Sequence, residues 1–101
     1  MISIYQIKKG KFAMAKLFIK TKLNSVVIVG DFCEWDAEKG IRVDRKQRNT
    51  LLVVDDMPKG EYRVLSCKSY HGGEVYPSDG RQMANRYFGG EQNETIHCYF
   101  N

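Results

Sequence analysis

Short stretches of alternating or wholly apolar residues recur along the chain at intervals of about ten. Met1–Ile7 alternates Ile2 and Ile4 with Ser3 and Tyr5. Within Lys11–Thr21, the run Lys16-Leu17-Phe18-Ile19-Lys20 has strand character. Ser25–Val29 is β-branched throughout its apolar part, the pattern of a strand covered on both faces or lying in a sandwich. Asn49–Val54 contains Leu51-Leu52-Val53-Val54. Glu61–Cys67 and Glu94–Phe100 alternate again. Turn chemistry separates the runs. Leu23-Asn24 precedes Ser25, and Met57-Pro58-Lys59-Gly60 supplies a proline and a glycine where a tight turn uses them. His71-Gly72-Gly73 is expected to close a hairpin onto Glu74–Tyr76. Asp36–Gly40 is at most one helical turn. Many short strands without a long helix predict an all-β fold, an antiparallel sandwich or small barrel.

Length and composition narrow this further. At 101 residues the chain is one domain, and 43% hydrophobic with 12% aromatic residues is enough for a core. No apolar run approaches the roughly 20 residues that span a bilayer, and the N-terminus lacks the apolar core and cleavage site of a secretory leader. Cys33, Cys67 and Cys98 are odd in number and widely spaced, without a Cys-x-x-Cys pair. A reduced, cytoplasmic protein without a zinc ribbon or redox motif is expected.

The net charge is +4, unevenly placed. Residues 1–30 hold Lys8, Lys9, Lys11, Lys16, Lys20 and Lys22 and no acid, whereas the remainder nets −2. This basic segment suits phosphate or an acidic partner, or else keeps an exposed strand soluble. It lacks the interleaved arginine and exposed aromatics of a nucleic-acid surface, so nucleic acid is the least favoured partner.

Little in the chain suggests catalysis. His71 neighbours a turn, and His97 lies within a strand run. Asp55 and Asp56 are adjacent, so a strand would point them to opposite faces, and they are expected to end it instead. No metal-ligand spacing and no phosphate-loop motif occur, so neither metal nor cofactor is expected and the chain is read as non-enzymatic. Binding is better supported. The only tryptophan, Trp35, follows a strand and is flanked by acids, so it is either a core plug or a flat platform for the apolar face of a sugar.

Around that tryptophan, Gly30-Asp31-Phe32-Cys33-Glu34-Trp35 resembles the G-[DS]-F-N-x-W motif of the glycogen-binding domains. These domains occur in the β subunit of AMP-activated protein kinase and at the N-termini of branching enzymes and isoamylases. Met57-Pro58-Lys59-Gly60-Glu61-Tyr62 is similar to the family's L-P-x-G-x-Y turn, and Asn85–Asn93 to its late N-x-F-G-G-x-N loop. The three fall in family order over residues 16–100. The resemblance implies an immunoglobulin-like, early-set β-sandwich of seven or eight strands that binds α-1,4-glucan. It implies that Trp35 stacks on glucose and that Phe88, Gly90, Gln92 and Asn93 line the sugar. One extra loop residue leaves Gln92 and Asn93 competing for the hydroxyl-binding role.

The departures matter. Leu65 stands near the family's lysine, Cys33 replaces its asparagine, and Tyr76 is the one residue able to stand in for its second tryptophan. Each lost contact costs on the order of 1–3 kcal/mol. Two readings follow: a non-catalytic module that targets a partner to glycogen, starch or maltooligosaccharide, or a protein-interaction or homo-oligomeric assembly module that keeps the fold without the sugar. Phe32 is expected in the core under either.

Overall fold

The computed structural model describes residues 15–67 and 69–101, with the backbone alone for residues 69–71. The strand expected over Met1–Ile7 lies outside the described residues. Eight strands follow: β1 (Leu17–Lys20), β2 (Ser25–Gly30), β3 (Ile41–Asp44), β4 (Leu52–Val54), β5 (Gly60–Ser66), β6 (Ser69–Gly73), β7 (Arg86–Phe88) and β8 (Glu94–His97). They form two sheets. The smaller has the order β4-β1-β8, with β1 antiparallel to β4 and parallel to β8. The larger has the order β3-β2-β5, and the far edge of β5 is shared. β6 pairs with its Leu65–Ser66 end, and β7 with its Gly60–Tyr62 end. The two sheets make an all-β sandwich.

Period-two alternation builds the core between the sheets. Leu17, Ile19, Leu52 and Val54 face inward from the smaller sheet, and Val26, Ile28, Val43, Tyr62, Val64 and Phe88 from the larger. Tyr62 and Phe88 are the largest side chains wholly removed from solvent. From Val26 to Val29 β2 is apolar without interruption because both its faces are covered. Val27 and Val29 point outward, yet they are buried with Cys33 and Leu65 in a second cluster. The segment after β2 supplies that cover through two 3-10 turns, Asp31–Cys33 and Ala37–Lys39. Asp36 caps the second, its carboxylate accepting from the Glu38 amide at 2.9 Å.

Two expectations are corrected. The chain reverses between Ser66 and Ser69, which pair with each other, so Gly72 and Gly73 lie at the end of β6 or within it rather than in a turn. Phe32 is 36% exposed rather than core, because the 3-10 turn sends Cys33 inward. The turn before β5 is as expected, with Gly60 at φ 129°.

One buried ion pair ties β7 to the segment after β6. Glu74 is 3% exposed, and Arg86 donates to its carboxylate through Nε at 2.9 Å and through Nη2. Losing one partner of such a pair is strongly destabilising. Tyr62 and Cys98 lie close by. Burial holds the Tyr62 hydroxyl well above its ordinary 10.0, and it holds the Cys98 thiol, which also faces the Glu74 charge, well above 9.0.

Both groups therefore stay protonated in the fold while the unfolded chain ionises above about pH 9. The unfolded state then binds fewer protons, so stability falls as pH rises. Urea unfolding between pH 7.5 and 10.5 measures this. Tyr62→Phe should make the decline shallower above pH 10, where the unfolded phenol titrates.

Candidate functional site

The turn bearing Trp35 is fixed by a close approach of two strands. Gly30, the last residue of β2, pairs with Tyr62 of β5. A Cβ at Gly30 would collide with the Glu61 carbonyl oxygen and lie 3.0 Å from the Tyr62 Cα. Only glycine lets β2 end flush against β5. Asp31 then reaches across, its Oδ2 accepting from the Glu61 amide at 3.2 Å. The first motif is thereby hooked to the Lys59-Gly60-Glu61 turn of the second.

Beyond the hook the backbone turns left-handed. Glu34 has φ 58° and Trp35 φ 61°. Such a conformation costs a residue with a Cβ roughly 1–2 kcal/mol. The Trp35 amide donates back to the Gly30 carbonyl at 3.0 Å, closing the loop. Trp35 is left 39% exposed and Phe32, three residues earlier, 36%. The indole is therefore not sealed within the core.

The late loop lies at the same end of the sandwich. β7 pairs with the start of β5, Phe88 opposite Gly60 and Tyr87 opposite Glu61. Alternation turns Phe88 inward, where it is fully buried, and Tyr87 outward, where it is 58% exposed. Phe88 is thus core and has no surface to offer a sugar. The aromatic ring that does face solvent is its neighbour Tyr87. Gly90 has φ 83°, and its missing Cβ makes room for the Lys59 side chain. Asn93 Oδ1 accepts from the Lys16 amide at 2.7 Å, which anchors the loop to the start of β1. Gln92 is exposed and, with Lys59, Tyr87, Gly89, Glu91 and Glu94, borders an open hollow of about 380 Å3. The Trp35 turn follows β2, Tyr87 lies on β7, and both strands pair with the Gly60–Tyr62 stretch of β5.

Tyr76 is elsewhere. Its amide donates to the Arg81 carbonyl, and its ring lies 5.2 Å from the Arg81 guanidinium carbon. The preceding residue, Val75, bridges to Tyr99, five residues past Glu94 at the start of β8. Tyr76 therefore belongs to the neighbourhood of the C-terminal run, not to the Gln92 and Asn93 loop. Tyr87 is the exposed aromatic that the motif likeness does not single out. The signal for it lay in recognising β7, since the residue before an inward Phe88 must face out.

For chemistry beyond stacking, the loop offers Gln92, Glu91 and the Asn93 Nδ2 as hydrogen-bonding groups for hydroxyls. Among the described residues no group of three His, Cys, Asp or Glu could hold a metal ion. Cys33, Cys67 and Cys98 are free thiols, and no helix of the described residues is long and apolar enough to cross a membrane.

The two neighbouring aromatics should respond oppositely to truncation. Phe88→Ala removes a fully buried ring and should destabilise by about 3–5 kcal/mol in chemical unfolding. Tyr87→Ala removes an exposed one and should change stability by less than about 0.5 kcal/mol.

Comparison of the chain with protein-family models, with curated proteins and with solved structures gives no match.

Proposed function

We propose that this domain is a non-catalytic binding module for α-1,4-glucan, with Trp35 as the platform on which a glucose ring stacks. The observation that carries the reading is the lone indole, left in solvent by two successive left-handed residues. A fold seeking only stability would bury that ring or place glycine in the turn. Tyr87 is the second aromatic surface, in place of Tyr76, and the Gly89–Asn93 loop supplies polar groups around the hollow it shares with Tyr87. Two aromatic surfaces carried by different strands beside β5 suit an oligosaccharide rather than a single sugar. Binding of this kind is modest in strength, since it rests on two rings and a few exposed hydrogen bonds.

A second reading keeps the fold for protein contacts. It is favoured by the exposure of both Phe32 and Trp35 on the one segment after β2, apolar groups that a protein partner would cover.

Isothermal titration with maltoheptaose, and with a β-1,4-linked oligomer of equal length as control, separates the two. Saturable heat at millimolar α-linked sugar is expected, with a change in Trp35 fluorescence. Trp35→Ala should abolish the heat. Tyr87→Ala should weaken binding by roughly tenfold, the loss of one stacked ring. Tyr76→Ala should leave it unchanged. Absence of heat and of any fluorescence change would reject the sugar reading.

A further inference from the structure

The end of the sandwich away from Trp35 carries a feature the glucan reading does not use. The loop joining β1 to β2 and the loop joining β3 to β4 face each other across an open hollow of about 840 Å3. Among the residues lining it are Lys20, Lys22, Arg45, Lys46 and Arg48, and none is a carboxylate.

Arg45 builds the hollow. Its Nη2 donates to the Thr21 and Leu23 carbonyls at 2.7 and 2.6 Å, its Nε to Asn24 Oδ1 at 3.2 Å, and its Nη1 to the Thr50 carbonyl. One guanidinium thus clamps both loops, and its donors are spent on the protein. The other four cations are not so occupied. Among the described residues Lys20, Lys22, Lys46 and Arg48 have no ion pair.

Two of the three acids that share a neighbouring hollow with Lys46 are engaged elsewhere, and the third, Asp56, faces that hollow. Asp44 accepts from Ser25 and Arg42, and Asp55 from Lys16. Hydrogen bonds from Ser25 and from Lys16 hold the two carboxyls below the usual range, so both remain charged and committed to those partners. Lys46 also feels the Asp55 charge, which makes it the weakest of the four as a free cation. Four like charges around one concavity repel one another, and a multivalent anion relieves that repulsion.

We propose that this hollow binds a ligand bearing two or more linked phosphate groups. Lysine ammoniums serve as point charges for phosphate, and Arg48 brings a planar fork that grips two oxygens at once. The size falls in the range of small-ligand sites rather than of long polymer tracks. No aromatic side chain lines the hollow, so there is no platform for stacked bases, and a compact oligophosphate fits better than single-stranded nucleic acid. Leu51 is the one apolar residue at the rim, too little for a lipid surface. The site is independent of the sugar reading, and either can fail without the other.

Sodium tripolyphosphate is the probe, added to the intact chain and followed by calorimetry and by amide chemical shifts. Saturable binding at one site is expected, with shifts confined to residues 20–24 and 45–51. Affinity should fall steeply from ~50 to ~300 mM salt. Combining Lys20→Glu with Arg48→Glu should weaken binding at least ~tenfold, equivalent to loss of one charge-assisted contact or more. Lys39→Glu, at the Trp35 end, should leave it unaltered. Should the charge-reversed variant fold poorly, Lys20→Gln with Arg48→Gln and the shift map of the unmodified chain give the same answer.

ATP separates the sources of the phosphates. Equal affinity marks the phosphate chain alone as the ligand, and tighter binding with added shifts marks a nucleotide. A flat titration, shifts scattered over the whole surface, equal loss with Lys39→Glu, or tighter binding of a short single-stranded oligonucleotide would each overturn the proposal.

Discussion

The approach of β2 to β5 at Gly30 is the constraint on which the candidate sugar site rests. With no side chain at that position, the backbone of β2 closes onto Glu61 and Tyr62. The Asp31 carboxylate then takes the Glu61 amide. Everything after it follows from that fixed point: the 3-10 turn that buries Cys33, the two left-handed residues, and the return hydrogen bond from Trp35 to Gly30. β7 is paired to the same three residues of β5 that the turn leans on. A single strand start therefore sets the distance between the Trp35 turn and the Tyr87 strand. Rigid positioning of this kind suits a weak ligand, because little ordering is left to be done on binding.

Burial on both sides of the larger sheet supports the arrangement. The inner face of β2 meets the smaller sheet, and its outer face is roofed by the chain that carries Trp35. The roof is held down by Cys33 and Ala37 on Val27, Val29 and Leu65, so the segment that carries Trp35 is mounted on a packed surface rather than on a free loop. On the opposite flank the Arg86–Glu74 pair fixes β7 against the residues after β6. Beside it the Tyr62 hydroxyl is buried with no hydrogen-bond partner among the described residues. The edge is specified by the hydrogen-bonded Arg86–Glu74 pair, an arrangement that favours one geometry over tight packing alone.

Most strands were legible in the sequence because each alternates or is uniformly apolar. β1, β2, β4, β5 and β8 fall where the pattern of apolar positions places them, within a few residues. β3 and β7 were not legible. Ile41-Arg42-Val43-Asp44 and Arg86-Tyr87-Phe88 are too short for alternation to stand out from chance, and each is defined by its pairing with a distant strand. The reversal at Ser66–Ser69 carried no glycine to mark it, whereas Gly72-Gly73 advertised a turn that does not form there. Motif likeness identified the segments that gather at one end, but not which way their rings face. Phe32 and Phe88 exchange their expected surroundings, and Tyr87 takes the exposed position. Facing depends on strand register, which one chain's sequence states only where the strand itself is evident.

The molecule thus presents two unlike ends joined by one core. One end is aromatic and polar, built on Gly30, Asp31 and the Gly89–Asn93 loop. The other is cationic, clamped by Arg45. Amide and indole spectra of the labelled chain read at single residues whether the exposed indole meets a glucan. On addition of maltoheptaose, the Trp35 indole N–H, Tyr87 and Gln92 should shift together along one saturating curve, while residues 20–24 and 45–51 stay still. An indole resonance that does not move at millimolar sugar would contradict the account.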